Sequence, residues 1–192
     1  MIRAQLTYGL GRLAAVARQR DWKSGEDLGL TPTQGDVLRV LAGRPAGLRL
    51  NELAAQLSVR PSTASDAVSA LVTKGWVLRS PDPDSARAIR ICLSQEGLLL
   101  LGHMPDGHSH VVALLTDAEV EAMHAIVISA IGRLQKSGQI APQRMCVTCK
   151  YFLSDSRLDQ VDANFCTLIG QPLGVADLRV DCPEHEEKLS SP

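Results

Sequence analysis

The sequence predicts a mainly α-helical protein with one small β-hairpin and a separate, small irregular appendage at its C-terminal end. Three observations carry that expectation. Apolar residues recur at spacings of three and four along much of residues 1–137, the period of helices that bury one face. A short segment alternates Ile89, Ile91 and Leu93 with Arg90 and Cys92, the two-residue repeat of a strand. Near residue 140 the helical period stops, and four cysteines follow as C-x2-C-x16-C-x15-C: Cys146, Cys149, Cys166 and Cys182.

Taken in order, Ile2, Leu6, Leu10, Leu13 and Val16 form the apolar stripe of a first helix, a stripe that needs a partner. Thr31-Pro32-Thr33-Gln34 then places an N-cap threonine, a proline at the first helical position and a glutamine at the third. That start opens a helix through Val37, Leu38, Val40 and Leu41, ended by Gly43 and Pro45. Leu50, Leu53, Ala54 and Leu57 make a short helix. After Ser58-Val59-Arg60 another begins at Pro61 and runs to Gly75, with Ala64, Val68, Leu71 and Val72 inside. Two such helices on a tight turn read as a helix-turn-helix. Strands over Trp76–Ser80 and Ala88–Leu93, joined by a turn at Pro81-Asp82-Pro83-Asp84-Ser85, add a wing, so the fold class is a winged helix-turn-helix.

Several of these segments resemble the MarR family of winged-helix regulators, over roughly residues 1–137. Leu50-Asn51-Glu52-Leu53-Ala54 looks like its first motif helix, and Pro61-Ser62-Thr63-Ala64-Ser65 like the start of its recognition helix. Leu71 to Arg79 resembles the passage into its wing, and Asp82 to Ala88 with Ile91 to Gly97 the wing and its exit. One departure stands out. The family usually carries Asp-x-Arg in the wing, whereas here Ser85 holds the aspartate position before Arg87 and Asp84 comes one residue early. The resemblance therefore leads us to expect a missing or rearranged wing salt bridge.

The recognition helix leaves Ser62, Thr63, Ser65, Asp66 and Ser69 off its apolar face. Hydroxyls bond to phosphates or base edges, and Asp66 suits a cytosine amino group. A carboxylate among phosphates is otherwise repelled, so affinity should come from the flanks: Arg60, Lys74, Arg87 and Arg90. The MarR resemblance further implies a homodimer, packed through the first and last helices, on a palindromic double-stranded operator, and an unidentified small-molecule effector.

After the wing, Glu96–Leu101 reads as helical, Pro105-Asp106-Gly107 as a break, and Thr116-x-x-Glu119 as a capping box opening a last helix with Val120, Met123, Val127, Ile131 and Leu134 on one face. The break departs from the long continuous helix usual in the family. His103, His108 and His110 near it read as loop histidines, and His124 as a surface or interface residue. Cys92, alone on a wing strand, reads as a small buried hydrophobe.

The appendage is short and poor in aliphatic residues, so it needs a staple. Of the chain's six aromatic residues, Tyr151, Phe152 and Phe165 stand beside its cysteines. Two C-x-x-C knuckles are the common zinc pattern, and here the second pair is split. Cys146-Val147-Thr148-Cys149-Lys150-Tyr151-Phe152, the gap to Cys166-Thr167-Leu168-Ile169-Gly170, and Cys182 resemble the cysteine framework of high-potential iron–sulfur proteins. That resemblance implies a four-iron, four-sulfur cluster. Zn2+ on the same four cysteines is the alternative, and a disulfide or unliganded thiols the remainder.

The net charge of -1 divides unevenly: residues 1–31 carry +2, 32–93 carry +3, 94–145 carry -2 and 146–192 carry -4. The basic portion coincides with the winged segment. No apolar run is long enough to span a membrane, and the arginine-bearing N-terminus does not read as a secretory signal. A reducing cytoplasm is the expected compartment. No nucleophile–base or phosphate-loop motif points to an enzyme. The domains expected are a DNA-binding and dimerisation domain at 1–139 and a four-cysteine segment at 140–192. The function expected is transcriptional regulation, with the cysteine centre sensing redox state, oxygen or iron, or only stabilising the fold. An electron-transfer protein fused to a helical module, or a DNA binder with structural zinc, is the alternative.

Overall fold

The computed structural model describes residues 1–104, 106–154 and 164–188, which fall into two compact units, Met1–Leu115 and Thr116–Pro192. No described helix is long and apolar enough to cross a membrane.

In the first unit, α1 (Ile2–Glu26) and α2 (Pro32–Ala42) precede a two-residue strand β1 (Leu48–Arg49). The helix-turn-helix follows as α3 (Leu50–Gln56) and α4 (Pro61–Thr73). The wing is β2 (Val77–Asp82) and β3 (Ser85–Leu93), and two short helices end the unit, α5 (Gln95–Leu101) and α6 (Gly107–Val112). At α2 the expected capping box forms: Gln34 N–H donates to Thr31 Oγ1, and Thr31 N–H to Gln34 Oε1, both at 3.3 Å. Val37, Leu38 and Leu41 of α2 meet Leu53 of α3, Val68 and Leu71 of α4, and Val77 and Ile91 of the wing in one core. Burying a side chain of this size is worth about 1.5–3 kcal/mol, so this core orients α4 and the wing together.

The hairpin is longer than its sequence suggests. β2 continues through Pro81 and Asp82, β3 begins at Ser85, and only Pro83 and Asp84 remain as the turn. Proline is tolerated there because β2 is an edge strand in the antiparallel order β1-β3-β2. β1 was not legible, since two residues carry no period; it pairs Leu48 with Ile91 and Arg49 with Arg90. The turn between α3 and α4 places Ser58 at φ 53°, left-handed backbone that favours glycine.

α5 ends at Leu101 and α6 begins at Gly107, so the long helix is interrupted there; Pro105 itself lies outside the described residues. His108 and His110 stand on α6 rather than in a loop. α6 packs closely on α1: a Cβ added at Gly107 would lie 2.1 Å from Ala17 O. Asp21 Oδ1 also accepts from Gly107 N–H at 3.0 Å and from Arg39 at 2.9 Å, tying α1, α6 and α2 together. The stripe of α1 faces solvent in the single chain, with Ile2, Leu6, Leu10, Leu13 and Val16 all exposed.

The second unit opens with α7 (Asp117–Lys136), started by the Thr116/Glu119 capping box. The appendage expected to be irregular carries a three-stranded antiparallel sheet, β4 (Phe152–Ser154), β5 (Asn164–Cys166) and β6 (Gln171–Leu173), in the order β4-β5-β6. Strands of three residues are too short to show alternation in sequence. Their inward face supplies Phe152 and Leu173, which pack with Cys149 into a small core. The C-terminal tail is stitched on by Lys150 N–H to Glu186 O and Cys182 N–H to Arg144 O, both 2.8 Å.

Candidate nucleic-acid interface and four-cysteine pocket

Helix α4 buries Ala64, Ala67, Val68 and Leu71. Its opposite side presents Ser62, Thr63, Asp66 and Ser69 to solvent, with Ser65 half-buried. Arg60 is the exposed N-cap residue and Pro61 the first helical one. A helix N-terminus has unpaired backbone N–H groups, so the hydroxyl-rich first turn offers donors suited to phosphate or base edges. Arg79, which sequence reasoning did not single out, donates to Ser69 Oγ at 3.1 Å from β2 and adds a cation beside the same face.

The remaining basic residues divide by their surroundings. Arg87 is exposed on β3 of the wing. Lys74 at the end of α4 donates to the Gly29 carbonyl and sits 5.0 Å over the Trp76 ring, so it clamps a loop. Arg90 lies against the wing turn: Nε is 3.2 Å from Asp82 Oδ2, Nη2 is 3.3 Å from Asp84 Oδ2, and Nη1 donates to Gly47 O at 3.3 Å.

Asp82 is the hub of that arrangement. Its side chain is fully shielded, and it accepts from Arg49 Nε at 2.6 Å and from Asp84 N–H at 2.8 Å. The Arg49 hydrogen bond, assisted by the Asp84 amide and the nearby Arg90 charge against the opposing effect of burial, lowers its pKa to about 2. The rearranged wing salt bridge therefore runs from Asp82 to Arg49 and Arg90, while Ser85 and Arg87 take no part in it. Arg49 escaped the sequence reading because its partner is 33 residues away.

In the second unit, Cys146, Cys149, Cys166 and Cys182 line one largely apolar cavity, together with Tyr151, Phe152, Leu168, Leu173 and Glu184. None of the four is in a disulfide. Cys149 is buried and the others are half-buried. A wider groove reaches Cys146, Cys166 and Cys182 from outside. Among the described residues, no group of three His, Cys, Asp or Glu side chains is drawn together closely enough to hold a single metal ion. Burial pushes the Cys146 thiol up, an N–H bond from Arg179 pulls it down, and the other three cysteines push it up. A cationic centre bound there would hold the four as thiolates.

The histidines do not join this set. His108 Nδ1 is 3.5 Å from Asp106 Oδ1, and His185 contacts Thr148 Oγ1 at 3.0 Å, its pKa lowered chiefly by burial. His124, expected at a surface or interface, is half-buried with Nε2 2.8 Å from Leu178 O. Cys92 is half-buried, and its sulfur would lie 2.5 Å from a Cβ added at Gly47, whose φ is +71°.

Comparison with known proteins fits this geometry. The MarR family model matches residues 28–88, the span that holds the helix-turn-helix and most of the wing. The fold is similar to that of S. aureus MepR in complex with DNA, at 23% identity over 67% of this chain and 97% of that one, with a TM-score of 0.55. It is similar to CouR from Rhodococcus jostii RHA1 bound to p-coumaroyl-CoA, at 22% identity over 68% and 94%, TM-score 0.56. It is also similar to the Mycobacterium tuberculosis MarR family protein Rv2887 in complex with salicylic acid, at 28% identity over 64% and 93%, TM-score 0.51. No curated protein matches the chain.

Proposed function

We infer from the MarR family match over residues 28–88 and the winged helix-turn-helix fold that the chain is a non-enzymatic DNA-binding regulator of the MarR type, acting as a homodimer on a palindromic operator in a reducing cytoplasm. The observation that carries the DNA reading is the exposed hydroxyl-rich first turn of α4, flanked by Arg60 and by Arg87 of the wing. α4 is placed in the major groove and the wing along the backbone. The uncovered stripe of α1 supports a second copy of the chain as its partner. An organic effector is a further input, in keeping with the ligands of CouR and Rv2887.

The four-cysteine pocket is assigned an iron–sulfur cluster, with four irons and four sulfides as the favoured type. Two features support this reading. All four cysteines line one pocket, the ligand number such a cluster needs. Apart from Glu184 the lining is apolar and includes two aromatic rings, and a backbone N–H reaches one sulfur, features that tune such clusters. A bound cluster would supply a redox-active, oxygen-sensitive charge. Its loss would loosen the second unit and so bias DNA affinity by linkage.

Anaerobic purification with a visible spectrum and metal analysis tests the cluster. Broad charge-transfer absorption with about four irons per chain, the stoichiometry of that cluster type, is expected; a colourless protein with one zinc per chain rejects it. Binding to DNA selected from a random library tests the regulator. Unchanged operator affinity after Cys149→Ser rejects sensing and leaves a structural staple.

A further inference from the structure

A single peptide unit connects the four-cysteine pocket to helix α7. Its carbonyl, that of Leu178, lies 2.8 Å from Nε2 of His124 on α7. Its N–H, that of Arg179, donates to Cys146 Sγ at 3.2 Å. A carbonyl oxygen carries no proton, so His124 must be the donor and its hydrogen must sit on Nε2. The chain of bonds therefore runs from imidazole N–H to carbonyl, through the amide, and from amide N–H to sulfur. Drawing electron density from the carbonyl makes the amide a better donor, a cooperative gain on the order of 10–30% per bond.

The surrounding backbone is held by other contacts. Cys146 N–H donates to Arg179 O at 3.0 Å, so the two residues stay in register without the sulfur bond. The turn Val175–Asp177 is closed by Gly174 N–H to Asp177 Oδ2 at 2.9 Å. Farther along α7, Gln135 donates to Met145 Sδ at 2.8 Å and accepts from Gln143 N–H, a separate attachment of the helix to the start of the cysteine segment. The His124 bond is therefore not required to close the turn, and its effect falls on the peptide that faces the sulfur.

We propose that His124 is a positioning residue for the Cys146 ligand, acting through the Leu178–Arg179 peptide to stabilise the electron-rich state of the centre the four thiolates hold and to pass changes of that state to α7. This rests on the reading that the pocket holds an iron–sulfur cluster. A hydrogen bond to a cluster-bound sulfur favours the more negative, reduced form and raises the reduction potential. Weakening the donor lowers it.

The test uses the full chain, reconstituted anaerobically with iron and sulfide, as wild type, His124→Leu and His124→Gln. The midpoint potential is followed in the visible spectrum, and far-ultraviolet circular dichroism checks the fold. The expected result is a downward shift for the leucine variant with wild-type iron content, and recovery toward the wild-type potential for glutamine, whose amide can donate from a similar position. A wild-type potential in His124→Leu overturns the proposal while leaving the cluster in place. Failure of the wild type itself to take up iron and sulfide removes the cluster reading and the proposal together. If the leucine variant misfolds, His124→Ala is read in its place: a lowered potential in a folded, fully loaded protein supports the proposal, and a wild-type potential overturns it.

Discussion

Asp82 at the tip of the wing accepts a 2.6 Å hydrogen bond from Arg49, the residue that immediately precedes helix α3. The wing and the helix-turn-helix are thereby joined through one carboxylate, which also faces Arg90 at 3.2 Å. Asp82→Asn should keep the shape and lose the charge, leaving Arg49 without its ion-pair partner and Arg90 with Asp84 alone. Operator affinity is expected to fall roughly tenfold, the scale of one lost charge-assisted hydrogen bond, measured by fluorescence anisotropy at fixed salt.

The same carboxylate sets a pH window. Its pKa is lowered from 3.8 to about 2, so its contribution to stability is complete above the ordinary value and is lost as pH falls through the lowered one. Trp76, just before β2, reports the event in a Trp22→Phe background. A fluorescence change between about pH 4 and 2 that is present in the parent and absent from Asp82→Asn is expected; identical titrations in both would remove Asp82 as its source.

Arg60 and Arg87 are exposed, whereas Arg90 is held in the wing network. Alanine at either exposed position should weaken binding to all DNA sequences alike and reduce the slope of log affinity against log salt by about 0.9 per lost phosphate contact. Arg90→Ala should instead resemble Asp82→Asn and leave the slope nearly unchanged. Salt titrations of the three variants distinguish the two roles.

Ser58 occupies left-handed backbone in the turn between α3 and α4. Left-handed conformation costs a non-glycine residue about 1–2 kcal/mol, partly offset by glycine's greater freedom in the unfolded chain. Ser58→Gly is expected to raise stability by up to about 1 kcal/mol in urea denaturation. A loss of stability would mean that the serine side chain stabilises the turn by more than its backbone strain costs.

At Gly107 the sign reverses. A methyl group there would lie 2.1 Å from the Ala17 carbonyl, so α6 must move off α1 and disturb the Asp21 bond to the Gly107 amide. Gly107→Ala is expected to cost at least about 1–3 kcal/mol, the range for overpacking a tight contact. An unchanged urea midpoint would show that the two helices separate freely.

Much of the polar face of α4 and its supporting helices was legible because it is built from local rules. The Thr31 and Thr116 caps, the Pro61 start of α4 and the exposure of Ser62, Thr63, Asp66 and Ser69 each follow from neighbours within one or two turns. The Asp82–Arg49 pair and the Lys74 clamp on Gly29 were not legible, because each joins residues far apart in the chain, and the Arg79–Ser69 bond was not, because it joins a strand to a helix. In the cysteine segment, spacing singled out the four thiols, yet three-residue strands left no periodic signal for the sheet that carries Phe152 and Cys166.

By itself the sequence determined the order of helices and hairpin, the polar face of α4 and the identity of the four cysteines, since period, caps and composition act over short distances. Only the tertiary structure decided which arginines stay exposed and which are held in the wing, that the four cysteines line one largely apolar pocket, and that His124 reaches the peptide bonded to Cys146. Those outcomes depend on which surfaces meet when the core closes, and a one-dimensional pattern does not specify a contact between side chains dozens of residues apart.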